Sequence, residues 1–217
     1  MVARVFDGSA APGRPAGAVV AAVLSSCAFA GFLVGALVGA SGGGAQGGGQ
    51  VPVADDAPWD GDVTPVAASV AQASCEADAS RDAAGRPVTY EPALSVDADP
   101  ETAWRCPGDG VGETLVLDLG GSVRIAEVAL VPGYAKTDAA DGTDRYAENR
   151  RITAVRWRFD DGTTIEQELD PDPTLRDLQT FRVPPRATQR LVLEIVSSSD
   201  AARDTVAVSA VRISSPA

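Results

Sequence analysis

The sequence predicts an all-β domain, a two-layer antiparallel β-sandwich, carried behind one N-terminal transmembrane helix. Three observations predict it. Between residues 16 and 40 the chain reads AGAVVAAVLSSCAFAGFLVGALVGA without a charge. Beyond residue 66, short β-rich runs recur with turn residues between them, several alternating apolar and polar. No stretch of that region has the apolar period of a long amphipathic helix.

Taken in order, residues 1–15 form a short arginine-bearing terminus and 16–40 the spanning helix, since about 20 apolar residues cross a bilayer. Arg4 and Arg14 precede the apolar run, whereas the first charges after it are Asp55, Asp56, Asp60 and Asp62. The positive-inside bias therefore puts the N-terminus in the cytoplasm and the rest of the chain outside the cell membrane. Two other readings share that orientation: Val38-Gly39-Ala40 as the end of a cleaved signal peptide, and Leu24-Ser25-Ser26-Cys27 as a lipobox. The uncleaved anchor is preferred because the apolar run continues well past Cys27 and exceeds the usual signal core of about 7 to 15 residues. Residues 41–65, SGGGAQGGGQ followed by an acidic, proline-containing stretch, read as a flexible linker.

The folded domain is expected at 66–217, with strands at 114–119, 124–131, 154–159, 163–169, 179–183, 190–196 and 206–213. In AVRWRF, Val155, Trp157 and Phe159 alternate with Arg156 and Arg158, which buries one face and wets the other. Asp160-Asp161-Gly162 then reads as the hairpin turn, with positive φ supplied by the Asp-Gly step.

Composition excludes several functions. A formal net charge of -12 does not supply the positive field that phosphate backbones require, so nucleic acid is excluded as a partner. The absence of histidine removes the usual general base, the imidazole metal ligand and every Ser-His or Cys-His arrangement. No pair of carboxylates has a separation fixed by the sequence, so no enzymatic activity is assigned. Of the three cysteines, Cys27 lies in the apolar run, which leaves Cys75 and Cys106 as an even pair in an extracytoplasmic domain, suited to a structural disulfide.

The segments ALSVDADPETAW, GETLVLDLGGSVRIAEVALVPG and VAVSAVRI resemble the discoidin, or galactose-binding-like, jelly roll. More narrowly, PGYAKTDAADGTDRYAENRRITAVRWRFDDGT resembles the NADase-type glycan-binding domain, found on membrane-tethered actinobacterial proteins and on a streptococcal NADase toxin. The resemblance implies surface recognition or sugar binding without catalysis. It also implies a structural calcium at Asp97, Asp99 and Thr102, but the sequence departs from that pattern twice, with Ala98 in place of the central glycine and Ala210 in place of a glutamate. Without an ion, Asp97 and Asp99 cap the turn through backbone amides, Pro100 opens a short helical turn and Trp104 enters the core.

The long polar stretch 133–151 is the candidate contact surface, because long loops in compact domains tend to carry function. Tyr134 and Tyr146 offer flat faces for a pyranose ring, and Lys136, Asp141, Asp144, Arg145, Asn149 and Arg150 offer polar partners for its hydroxyls. The alternative is that the tyrosines pack over the end of the sandwich while the charges pair among themselves. Two partners fit: a cell-surface glycan, or another envelope protein docked on the same loop. The lipid bilayer is the partner of the helix.

Overall fold

The computed structural model describes residues 56–217; the anchor expected at 16–40 and the glycine-rich part of the linker lie outside them. Among the described residues no helix is long and apolar enough to cross a membrane.

The described residues fold into an all-β sandwich. Its larger sheet is built around two long strands, β6 (Thr114–Val131) and β10 (Gln179–Ser198), with β1 (Val63–Val66), β2 (Ser69–Ala73), β8 (Ile152–Phe159), β9 (Thr164–Glu168) and β12 (Ala210–Pro216). The order is β1, β12, β6, β10, β8, β9, with β2 paired to the first half of β6, and every pairing is antiparallel. The smaller sheet holds β5 (Trp104–Pro107), β11 (Arg203–Val208) and β7 (Asn149–Arg150). β11 runs antiparallel to β5 but parallel to β7, a two-residue pairing that departs from the wholly antiparallel expectation. A hairpin of β3 (Ser80–Arg81) and β4 (Pro87–Val88) stands apart.

The core lies between the two sheets. Leu115, Leu117, Val128, Leu130, Val155, Trp157, Leu191, Leu193 and Ile195 of the larger sheet share one cluster with Trp104, Cys106, Val206 and Val208 of the smaller. Side-chain period two explains the membership: Val155, Trp157 and Phe159 are buried while Arg158 is exposed, as the sequence predicts. Both core tryptophans also satisfy their indole nitrogens. Trp157 Nε1 donates to Gln167 Oε1 at 3.0 Å, and Gln167 Nε2 donates to the Gln179 carbonyl at 2.8 Å.

Several boundaries differ from the sequence reading. The runs at 114–119 and 124–131 are halves of the one strand β6, joined through Gly120 at φ 72°. Those at 179–183 and 190–196 likewise fuse into β10, whose pairing with β6 shifts register between Arg182 and Arg186. The run at 206–213 divides instead: at Ser209 the chain leaves the smaller sheet as β11 and enters the larger as β12. The domain also begins before residue 66, because β1 pairs Val63 with Pro216 and Trp59 N donates to the Val183 carbonyl at 3.1 Å. The Asp160-Asp161-Gly162 turn forms, with Phe159 N bonded to the Thr163 carbonyl, but only Gly162 takes positive φ, at 84°. Pro100 opens a single hydrogen-bonded turn, Thr102 N donating to the Asp99 carbonyl at 3.3 Å, and a separate 3-10 turn that the sequence reading did not anticipate lies at Pro92–Ser95.

Cys75 and Cys106 are joined as a disulfide with Cα atoms 5.6 Å apart, and Trp104 Nε1 donates to the Cys75 carbonyl at 2.8 Å. The bond closes a loop with a sequence separation of 31 residues. Its loss, by a Cys75→Ser, Cys106→Ser double variant, is expected to cost about 3 to 4 kcal/mol on the chain-entropy model, read as a lower denaturant midpoint with a slope equal to or steeper than the parent's, because the uncrosslinked chain unfolds to a more expanded state.

Candidate functional site

Strand alternation places the site. Along β5, Trp104 and Cys106 enter the core, so Arg105 between them emerges on the opposite face of the three-stranded sheet. The same period along β11 sends Val206 and Val208 inward and puts Arg203, Thr205 and Ala207 on the face of Arg105. Register sets Ala207, with a single methyl, directly opposite Arg105.

Tyr90 and Tyr134 pack over this face, edge to face with ring centres 6.1 Å apart. The Arg105 guanidinium carbon lies 4.3 Å from the centre of the Tyr90 ring and 5.5 Å from that of Tyr134, within cation–π range. Arg105 Nη2 donates to Asn149 Oδ1 at 2.9 Å and to Thr205 Oγ1 at 2.6 Å. Burial, with Tyr90 alongside, pushes the Tyr134 phenol up to about 12, so it stays neutral.

The result is a cleft of about 320 Å³, within the range of small-molecule sites. One wall is the β3–β4 hairpin, with Ser80, Arg81 and Asp82; the other is the loop after β6, with Lys136, Asp138 and Arg145. Asp138 clasps the two. Its carboxylate accepts from Ala83 N at 3.1 Å, Ala140 N at 3.2 Å and Arg145 Nη2 at 3.1 Å. The amides of Ala83 and Ala140, then Arg145, hold its carboxyl down to about 2.

Of the residues proposed from the sequence, Tyr134, Lys136, Arg145 and Asn149 line this cleft, and Asp141, Asp144, Tyr146 and Arg150 do not. Asp141 closes its own turn by accepting from Thr143 N at 2.9 Å. Asp144 caps a four-residue helix α1 (Arg145–Glu148) through the amides of Tyr146 and Ala147, and pairs with Arg176. Arg150 is bound to Asp204 at 2.6 Å and Asp200 at 3.3 Å. Tyr146 is fully buried, its ring lying against Gly133 so closely that a Cβ there would come within 2.5 Å of it. Neither tyrosine therefore presents a bare face: Tyr146 belongs to the packing, and Tyr134 is only 3% exposed.

The sequence reading missed Tyr90, Arg105, Arg203 and Thr205. One signal was present for Arg105. In WRCP an arginine stands between two core-facing residues on a strand, and such a residue must emerge on the other face.

Comparison with known proteins bears on the family and the fold. Residues 67–214 match the family described as the NAD glycohydrolase translocation F5/8 type C domain. The chain belongs to that family. Among solved structures, CBM32-3 from a family 31 glycoside hydrolase of Clostridium perfringens shares the fold, with a TM-score of 0.51 and 12% identity, covering 69% of this chain and 91% of that one. A family 32 CBM from C. perfringens NanJ, solved with galactose, aligns with a TM-score of 0.49 at 12% identity over 70% of this chain and 99% of the other. The F5/8 type C domain of a Bacteroides fragilis protein aligns with a TM-score of 0.47 at 12% identity over 72% and 98%. No curated protein matches.

At the turn for which the resemblance implies calcium, Asp97, Asp99 and Thr102 hold one another and their own backbone. Thr102 Oγ1 donates to Asp97 Oδ2 at 2.9 Å, Asp99 N donates to Asp97 Oδ1 at 2.9 Å, and Glu101 N donates to Asp99 Oδ1 at 2.9 Å. The carboxylates are engaged by their own turn, and among the described residues no three His, Cys, Asp or Glu side chains converge. Ala98 takes φ 66° there, the left-handed conformation that favours glycine.

Two outcomes follow. Tyr146→Ala is expected to lose about 3 to 5 kcal/mol, while Tyr146→Phe leaves stability unchanged or raised because the buried hydroxyl has no partner; chemical denaturation reads both. The Asp138 carboxyl is lowered from 3.8 to about 2, so its stabilising effect is complete above about pH 4 and is lost as pH falls toward 2. Asp138→Asn should flatten that part of the stability curve, followed by thermal melting between pH 4 and pH 2.

Proposed function

We propose that the chain is a membrane-anchored, extracytoplasmic glycan-binding module without catalytic activity, and that the cleft over the β5–β11–β7 sheet is its binding site. The observation that carries the reading is the convergence of Arg105, Asn149, Thr205, Lys136 and Arg203 on a cleft of ligand size. Planar and hydroxylic groups fixed by a rigid sheet are what sugar hydroxyls pair with. The neighbour CBM32-3, whose fold the chain shares, is by name a carbohydrate-binding module.

The cleft offers little for acid–base catalysis. Asp138 is held at about 2 by hydrogen bonds to its charged form and Asp82 is also lowered, so neither is a proton donor near neutral pH. The chain has no histidine. For localisation, the uncharged run 16–40 supports a single span with the N-terminus in the cytoplasm and the domain outside.

A glycan array probed with the full chain in detergent micelles tests the site. Binding to defined sugars, weakened about tenfold by Lys136→Ala, is the expected result. A blank array from a chain that melts cooperatively overturns the reading in favour of docking to an envelope protein. Resistance to alkaline extraction from membranes, with external protease removing the domain on intact cells, is expected of the anchor and its orientation.

A further inference from the structure

The cleft holds an arginine whose charge no carboxylate answers. Arg105 is 7% exposed. Its Nη2 is committed to Asn149 and Thr205, and its Nε is enclosed without a partner. Nη1 makes no hydrogen bond and is not among the enclosed nitrogens, so it is the one that opens to the cleft. Among the described residues no Asp or Glu lies within ion-pairing distance of the guanidinium. Buried arginines are ordinarily paired, because an isolated charge taken out of water is costly.

The neighbouring charges are mostly settled. Arg145 pairs with Asp138 and Glu148, Arg203 with Glu148, and Asp82 with Arg86. Arg81 donates to the Gly85 carbonyl. The ammonium of Lys136, on the wall, makes neither a hydrogen bond nor an ion pair, and the one lining carboxylate without a partner is the exposed Asp78. The two tyrosine faces on Arg105 hold the guanidinium in place and supply partial negative charge but no anion.

We propose, resting on the glycan-binding reading, that the cleft selects an acidic sugar residue bearing one negative charge, a uronate carboxylate or a sulfate ester, with the anionic group on Arg105 Nη1 and Lys136 as the second cation. A guanidinium already fixed by Asn149, Thr205 and two rings loses little freedom on meeting an anion, and a charge-assisted bond in a sheltered cleft is stronger than one in open water. Neutral sugars find the hydroxyl partners there but leave Arg105 unanswered.

Titration calorimetry on the full chain in detergent micelles, with digalacturonate, galactose 6-sulfate and neutral galactobiose as probes, tests this. At least one acidic probe is expected to bind ten or more times tighter than galactobiose, with affinity falling as sodium chloride is added. Which of the two binds identifies the acidic group. Arg105→Met should remove about 10- to 100-fold of the acidic probe's affinity and a clearly smaller factor of galactobiose's, since only the acidic probe meets the guanidinium charge. Lys136→Met, a change on the cleft wall, should lower it several-fold and keeps the test alive if the Arg105 variant fails to fold. Equal affinity for acidic and neutral probes, or equal loss of both in Arg105→Met, overturns the acidic preference while leaving glycan binding standing. No binding of any probe, together with a blank glycan array, overturns the glycan reading itself.

Discussion

Along β5, three consecutive side chains serve two faces of one sheet, and much of the molecule is arranged around where they go. Trp104 and Cys106 point into the core, the first bonded through its indole nitrogen to the Cys75 carbonyl and the second bridged to the Cys75 sulfur. The segment before β3 is thereby fixed to the smaller sheet at one place by a covalent and a hydrogen bond. Arg105, forced outward by the same pleat, becomes the floor of the cleft. The core and the site are thus set by one register, and a slip of one residue on β5 would bury the arginine among Leu and Ile while exposing the tryptophan.

Packing around that strand is tight enough to dictate residues far away in sequence. Gly110 takes φ 68°, and a Cβ there would fall within 2.3 Å of Val206 Cγ1, so the loop after β5 can lie on β11 only because the residue is glycine. Gly133 plays the matching part at the far end of β6, where it lets the Tyr146 ring close beneath the 133–151 loop. That loop is consequently a packed structure, tied by the Asp144 cap, by Asp138 and by Arg151 bonds to the carbonyls of Tyr146 and Asn149. Its polar residues are mostly spent on one another, which is the second of the two roles the sequence allowed for them. The cleft proposed for binding lies instead where the loop, the β3–β4 hairpin and the smaller sheet meet.

Charge shows the same division between global and local. The chain carries a formal net charge of -12, yet the cleft gathers Arg81, Arg105, Lys136, Arg145 and Arg203 beside three aspartates. Long-range repulsion of anions by the acidic chain is screened beyond about a Debye length, roughly 8 Å at physiological salt, so the local constellation governs what can bind within the cleft. An acidic composition argues against phosphate backbones as partners, but it carries no information about one sheltered patch of opposite sign.

The sequence by itself determined the all-β class, the alternation that makes β6, β8 and β10 core strands, the Gly162 turn and the Cys75–Cys106 pair. Each of these is written locally, in a period of two, a turn residue or a count. Asn149, Lys136, Arg145 and Tyr134 were also legible, because a long polar loop announces itself. Only the tertiary structure decided that Tyr146 is core, that the chain changes sheets at Ser209, and that Arg105 meets Tyr90, Tyr134 and Thr205 in one place. Those outcomes rest on contacts between residues up to 100 positions apart, as the Arg105–Thr205 bond is, and on short strands whose few residues carry too little pattern to be read alone.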